Sequence, residues 1–147
     1  MALGAQNGRG ATDITMITLS LQYAHQQDTA EERGPASLQQ AFDVFRAFPW
    51  HEQLAKANEL QLCSPTLFLR DSDDGSVFFA SILLGEELDF MLYYEAEEEF
   101  EGWSLFGKRK KKKKKIYDST GNDSKKVETA ITAYYTDRTK LKELIIP

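Results

Sequence analysis

The sequence predicts an α+β fold: a curved antiparallel β-sheet of about five to six strands, with an N-terminal helix pair and a C-terminal helix packed on one face. Three observations carry that expectation. Apolar residues alternate with polar ones at period two in several short runs, as in half-buried strands. They recur at spacings of three and four in two other stretches, as on one face of a helix. Strands do not alternate regularly with helices, so a parallel α/β sheet is not expected.

The first strand is expected where Ile17, Leu19, Leu21 and Tyr23 alternate with Thr18, Ser20 and Gln22, with Ile14 and Met16 on the opposite face. Residues 1–12 carry three glycines and no periodicity, and read as a flexible tail before a single domain at 13–147. Gln26 to Pro35 is polar and reads as a loop. A helix should open at Ser37, whose hydroxyl suits an N-cap, with Leu38, Ala41, Phe42, Phe45 and Phe48 on one stripe. Pro49 lacks an amide hydrogen and disfavours helical geometry at Phe48, so the helix should end there. A second short helix is expected to turn Trp50, Leu54, Ala57 and Leu60 inward.

Ser64-Pro65 forces extended backbone and starts the β region. Thr66–Arg70 and Val77–Leu84 flank Asp71-Ser72-Asp73-Asp74-Gly75, a hairpin signal because glycine accepts positive φ. After a turn at Gly85-Glu86-Glu87, the stretch Leu88–Glu95 should put Phe90, Leu92 and Tyr94 on one face and Met91 and Tyr93 on the other. Glu101–Phe106 reads as a further strand, and Ile116-Tyr117 as a last short one. Gly121–Ser124 reads as a turn into a final helix, with Val127, Ile131, Tyr134 and Leu141 inward.

Composition bounds the function. The chain has 147 residues, 41% hydrophobic and 28% charged, with nine Phe, six Tyr and two Trp; disordered chains lack such aromatic content. One cysteine excludes an internal disulfide, and no Cys/His metal spacing occurs. No secretory signal or membrane-spanning run is visible, so a cytoplasmic protein without membrane contact is expected. A formal charge of −5 argues against nucleic acid as the partner.

Charge is unevenly placed. Lys108–Lys115 is an unbroken run of eight basic residues, while Glu86–Glu101 holds eight acidic residues and no basic one. If the strands form a meander the two runs are neighbours, and a solvated hairpin with lysines facing the acidic strand is expected. The functional alternatives for the lysines are a nuclear-import-like signal and phosphate contact. For the acidic segment the alternative is docking of a basic protein, with Tyr93, Tyr94, Glu95, Glu97, Glu98, Glu99, Glu101 and Trp103 as the candidate contact residues. Asp71–Gly75 lacks the spacing of a calcium loop. Cys63 with His25 or His51 offers a nucleophile and a base, but no surrounding signature supports the combination. No catalytic, cofactor-binding or metal-binding residues are assigned, and no cofactor is expected.

The stretch from Ser37 onward resembles the small acidic immunity proteins that bacteria encode beside their toxins. The resemblance rests on Phe45-Arg46-Ala47-Phe48-Pro49-Trp50, on Ser64-Pro65-Thr66-Leu67 and on the meander that follows to Phe106. It implies a non-catalytic, cytoplasmic protein that neutralises a cognate toxin by one-to-one binding, the partner being a basic toxin domain. Two other classes fit the charge pattern: a nucleic-acid-binding or regulatory module using Lys108–Lys115, and an acidic secretion chaperone. The oligomeric state is expected to be monomer or homodimer.

Overall fold

The computed structural model describes residues 16–104 and 107–146, with the side chains at 103, 104, 108 and 109 left out. The order is β1 (Ile17–Gln22), β2 (Glu31–Pro35), α1 (Leu38–Ala47), α2 (Trp50–Leu60), β3 (Thr66–Asp71), β4 (Val77–Ile82), β5 (Phe90–Ser104), β6 (Gly107–Asn122), α3 (Ser124–Thr136) and α4 (Arg138–Ile145). The strands form one sheet in the order β2-β1-β3-β4-β5-β6, antiparallel throughout. The fold is therefore α+β. The predicted tail at 1–12, Ile14, Leu105 and Phe106 lie outside the described residues.

The sheet is not curved, which corrects the expectation of a curved one. Curling a sheet requires bulges or glycine kinks inside it. Here the register shifts only at Leu19/Ser20, against the edge strand, and between Phe90 and Leu92. The ladders joining β1 to β3, β3 to β4 and β4 to β5 run without a shift.

The helical boundaries follow local chemistry. Ser37 Oγ accepts the Gln40 amide, and the Gln40 side chain returns a bond from the Ser37 amide, so two otherwise orphaned donors are satisfied. Pro49 separates α1 from α2 as expected. Trp50 then folds back, its indole N–H donating to the Phe45 carbonyl at 2.9 Å, and its ring meets Phe45, Phe48 and Phe90. Leu60, expected inward, is exposed.

One row of side chains crosses the helix-covered face from β1 to β6: Leu19, Leu69, Phe78, Tyr94 and Tyr117. All five are buried. Phe45 and Trp50 cover Phe90, while Tyr134 of α3 lies against Phe78 and Tyr94. The core thus sits between this face and the helices.

Three further expectations are corrected. Part of the predicted loop is the edge strand β2, which pairs with β1 through Gly34 at φ +79° and a register shift. Its side chains are nearly all exposed, so it shows no alternation; backbone pairing alone makes it a strand. The predicted last short strand is instead sixteen residues long, because the lysine run pairs with the acidic one. The single C-terminal helix is two, split at Asp137, whose carboxylate caps the second by accepting the Lys140 amide.

Candidate functional site

β5 leaves the sheet partway along its length. Its partner β4 reaches only from Phe90 to Glu95, whereas β6 follows it to Ser104. From Ala96 to Ser104 the two strands continue past β4 as a ribbon of nine pairs, about 30 Å long at the usual rise per residue. The pairing is acid against base: Glu97 opposite Lys114, Glu98 opposite Lys113, Glu99 opposite Lys112 and Glu101 opposite Lys110. Such cross-strand pairs hold two like-charged strands in register, where each alone would repel its own neighbours. Residues 95–116 contain eight basic and five acidic side chains, a charge of +3, and the rest of the chain ten basic and eighteen acidic, a charge of −8.

Alternation along the strands divides the predicted contact residues between two faces. Tyr94 points into the core, 3% exposed, with Tyr117 and Tyr134 beside it. It offers no surface to a partner, which corrects its inclusion among the contact residues. Glu98 shares that side and is already engaged. It accepts the Tyr117 hydroxyl at 2.7 Å and lies 2.7 Å from Lys142 Nζ of α4. Lys142 first, and Tyr117 second, hold the Glu98 carboxyl below the usual glutamate range. Burial, reinforced by Glu98, pushes the Tyr117 hydroxyl up to about 12.

Tyr93, Glu95, Glu97, Glu99 and Glu101 line the opposite, helix-free side. The Tyr93 hydroxyl donates to Glu95 at 2.7 Å, which raises its own pKa and lowers that of the carboxylate. Lys114 Nζ stands 3.4 Å from the same Glu95. The side chain of Trp103 is not described; its backbone pairs with Lys108. The structure thus groups one tyrosine with four glutamates and balances three of those glutamates with the lysines opposite them.

The helix-free face also carries residues that the candidate set lacked. Phe68, Phe79 and Tyr93 form a row across the three central strands β3, β4 and β5. Phe79 stacks on Tyr93 with centroids 4.5 Å apart and planes at 9°, and Phe68 lies 5.5 Å from Phe79. All three are half-buried with no helix over them. Beside Phe68 runs a groove of ≈ 460 Å³ lined by Thr18, Ser20, Phe68, Arg70 and Val77, among others. The sequence signal was present for Phe79, which alternates with inward-facing Phe78 and Ala80. For Phe68 it was diluted, because Leu67 and Leu69 on either side are as apolar as Phe68 itself.

Cys63 does not have the surroundings of a nucleophile. Its thiol faces the carbonyls of Tyr23, Ala24 and Gln26 at 3.2, 3.5 and 3.4 Å. Burial pushes its pKa up, whereas a reactive thiol needs it lowered. Both histidines are exposed. Among the described residues no group of three or more His, Cys, Asp or Glu could hold a metal ion, and no helix is long and apolar enough to cross a membrane. Comparison of the chain with protein-family models, with curated proteins and with solved structures found no match.

Proposed function

We propose that this protein acts by binding another protein, without catalysis, and that the helix-free face of its sheet is the contact surface. The observation that supports this reading is the row Phe68, Phe79 and Tyr93, half-exposed on the three central strands. Rigid aromatic rings held at the centre of a face, with charged side chains around them, are the arrangement that concentrates binding energy at protein interfaces. Arg70 and Glu95, on the same side in the next row, and Asp118, directly opposite Tyr93, supply the polar surroundings here. The face suits a protein better than nucleic bases. A base stacks on an open ring face, and Phe79 and Tyr93 already occupy one another's.

Within this reading the partner is a toxin domain held one-to-one in the cytoplasm, as the resemblance to immunity proteins implies. Attraction to a basic partner would come from the body, at −8, rather than from the acidic strand that the lysines neutralise.

Capture from a lysate of the producing cells, comparing the unaltered protein with Phe79→Ser and Tyr93→Ser, tests the proposal. A protein retained in stoichiometric amount by the unaltered chain, lost from both variants and toxic when expressed alone, is the expected result. Equal retention by correctly folded variants would place the contact elsewhere. A chaperone would instead behave as a homodimer in sedimentation and retain unfolded segments.

A further inference from the structure

The whole-chain charge of −5 conceals a second surface, independent of the aromatic face. Directly opposed residues in an antiparallel pair share a face. Lys111 opposes Phe100, Lys113 opposes Glu98 and Lys115 opposes Ala96, so these three lysines lie on the helix side of the ribbon. Lys110, Lys112 and Lys114 lie on the other side, opposite Glu101, Glu99 and Glu97. The two sides therefore differ in kind. On the helix-free side three lysines meet four carboxylates, counting Glu95. On the helix side three lysines and Lys142 meet one carboxylate, Glu98, which Lys142 and Tyr117 already occupy.

Geometry reinforces the asymmetry. Lys111, Lys113 and Lys115 are all exposed and stand two residues apart, about 7 Å at strand rise. Lys115 and Lys142 both lie over the Tyr117 ring, at 5.4 and 5.6 Å, so positive charge continues from the ribbon onto α4. The Lys111 side chain lies alongside Gly102 on this side of the ribbon. A groove of ≈ 400 Å³ runs between Phe100, Glu98, Glu99, Lys113 and Lys115, and Phe100 is 45% exposed at its edge.

We infer that this helix-side face, Lys111, Lys113, Lys115 and Lys142 with Phe100, binds the sugar–phosphate backbone of single-stranded nucleic acid. A line of lysines gives point charges for successive phosphates without reading sequence. Phe100 opposite Lys111 supplies the aromatic platform on which an unpaired base stacks, the other recurring component of single-strand grooves. With three to four phosphates neutralised, log K should fall against log[salt] with a slope of about −2 to −3.

The probe is a fluorescent oligothymidylate of about 20 nucleotides, long enough to cover one such groove, titrated with the full chain by anisotropy at several salt concentrations. Two triple variants of equal net charge are compared. Replacing the helix-side lysines (K111Q, K113Q, K115Q) should weaken binding at least about tenfold and flatten the salt slope. Replacing the opposite three (K110Q, K112Q, K114Q) should change it less than about threefold. Phe100→Ala, which leaves every charge in place, should weaken binding about fivefold or more through lost stacking. Equal loss in both triple variants would overturn the inference, because the run would then act as a structureless polycation. So would absence of binding by the unaltered protein at low salt, or binding to phosphatidylserine vesicles without binding to the oligonucleotide.

Discussion

Lys142 and Glu98 meet with Nζ and Oε2 2.7 Å apart, and this pair fastens the last helix to the root of the ribbon. The Tyr117 hydroxyl donates to the same carboxylate oxygen, so one side chain of β5 gathers a residue from β6 and one from α4. The pair is accessible enough for solvent to screen it, with the Lys142 and Glu98 side chains 32% and 27% exposed.

Glu98→Gln should therefore cost about 1 kcal/mol or less, the range for a partly exposed pair with one extra hydrogen bond. The pH dependence has a definite sign. The folded carboxyl titrates below its ordinary value, so its contribution is present above the unfolded pKa and is lost as pH falls through the folded one. Urea unfolding at neutral and acid pH should show the variant losing less stability on acidification than the parent.

At alkaline pH the tyrosines decide. Burial pushes the Tyr117 and Tyr134 hydroxyls up to about 12 and raises Tyr135 further. A folded pKa above the unfolded value of about 10 means stability that is full below pH 10. It is lost as pH rises toward 12. Tyrosinate absorbance should appear together with loss of the near-ultraviolet dichroism, and Tyr117→Phe should move that coupled transition to higher pH.

Arg138 ties the C-terminal helices to the hairpin between β3 and β4. It donates to Asp71 at 2.8 Å, Asp74 at 2.7 Å and Ser76 at 2.9 Å, and also to the Tyr134 carbonyl. Its guanidinium lies 4.0 Å from the Tyr134 ring centroid. Burial alone would raise the Asp74 carboxyl, but bonds from Ser76 and the charge of Arg138 outweigh it and hold the carboxyl low. Arg138→Ala strands the poorly exposed Asp71 carboxylate and leaves the buried Ser76 hydroxyl with Tyr134 as its remaining partner, and should cost about 2–4 kcal/mol in denaturant unfolding. Arg138→Lys should recover only part of this, since one ammonium nitrogen with three donors replaces the three guanidinium nitrogens that reach four acceptors here.

What the sequence revealed and what it hid divide along physical lines. Apolar periodicity grouped Phe90, Leu92 and Tyr94 on one face of a strand and turned Val127, Ile131, Tyr134 and Leu141 inward, and all seven are buried. Pro49 and Ser37 marked helix boundaries through backbone chemistry that acts locally. β2 and most of β6 escaped because their side chains are nearly all exposed and show no inside–outside alternation. Their strand character comes from partners distant in sequence. Asp137 was a visible capping residue, yet Leu141 continued the apolar stripe of α3 and masked the break. The candidate site fared similarly: the adjacency of the acidic and basic runs was legible, but both sides of the strand are aromatic, so the sequence does not tell that the face of Phe90, Leu92 and Tyr94 is the one the helices cover. The contact between Glu98 and Lys142 spans too many residues for any local pattern to announce it.

The ribbon itself should be separable from the domain. Beyond Glu98 the ribbon is β5 and β6 paired with one another, and an isolated two-stranded hairpin is marginal in water. Two consequences follow from that weakness. Amides of residues 99–112 should exchange with solvent by local fraying, while those of Phe78, Ala80 and Leu92, in the sheet interior, should require opening close to global unfolding. Replacing residues 99–112 by an Asn-Gly turn keeps Glu98 and Lys113 paired, and type I′ geometry suits two residues joining antiparallel strands. The shortened chain should unfold within about 1 kcal/mol of the parent, with unchanged near-ultraviolet dichroism. A larger loss would mean that the charged ladder, rather than the core beneath Tyr94 and Tyr117, holds β6 to the sheet. High salt would then be expected to destabilise the intact protein as well, since screening weakens exposed ion pairs and leaves apolar burial in place.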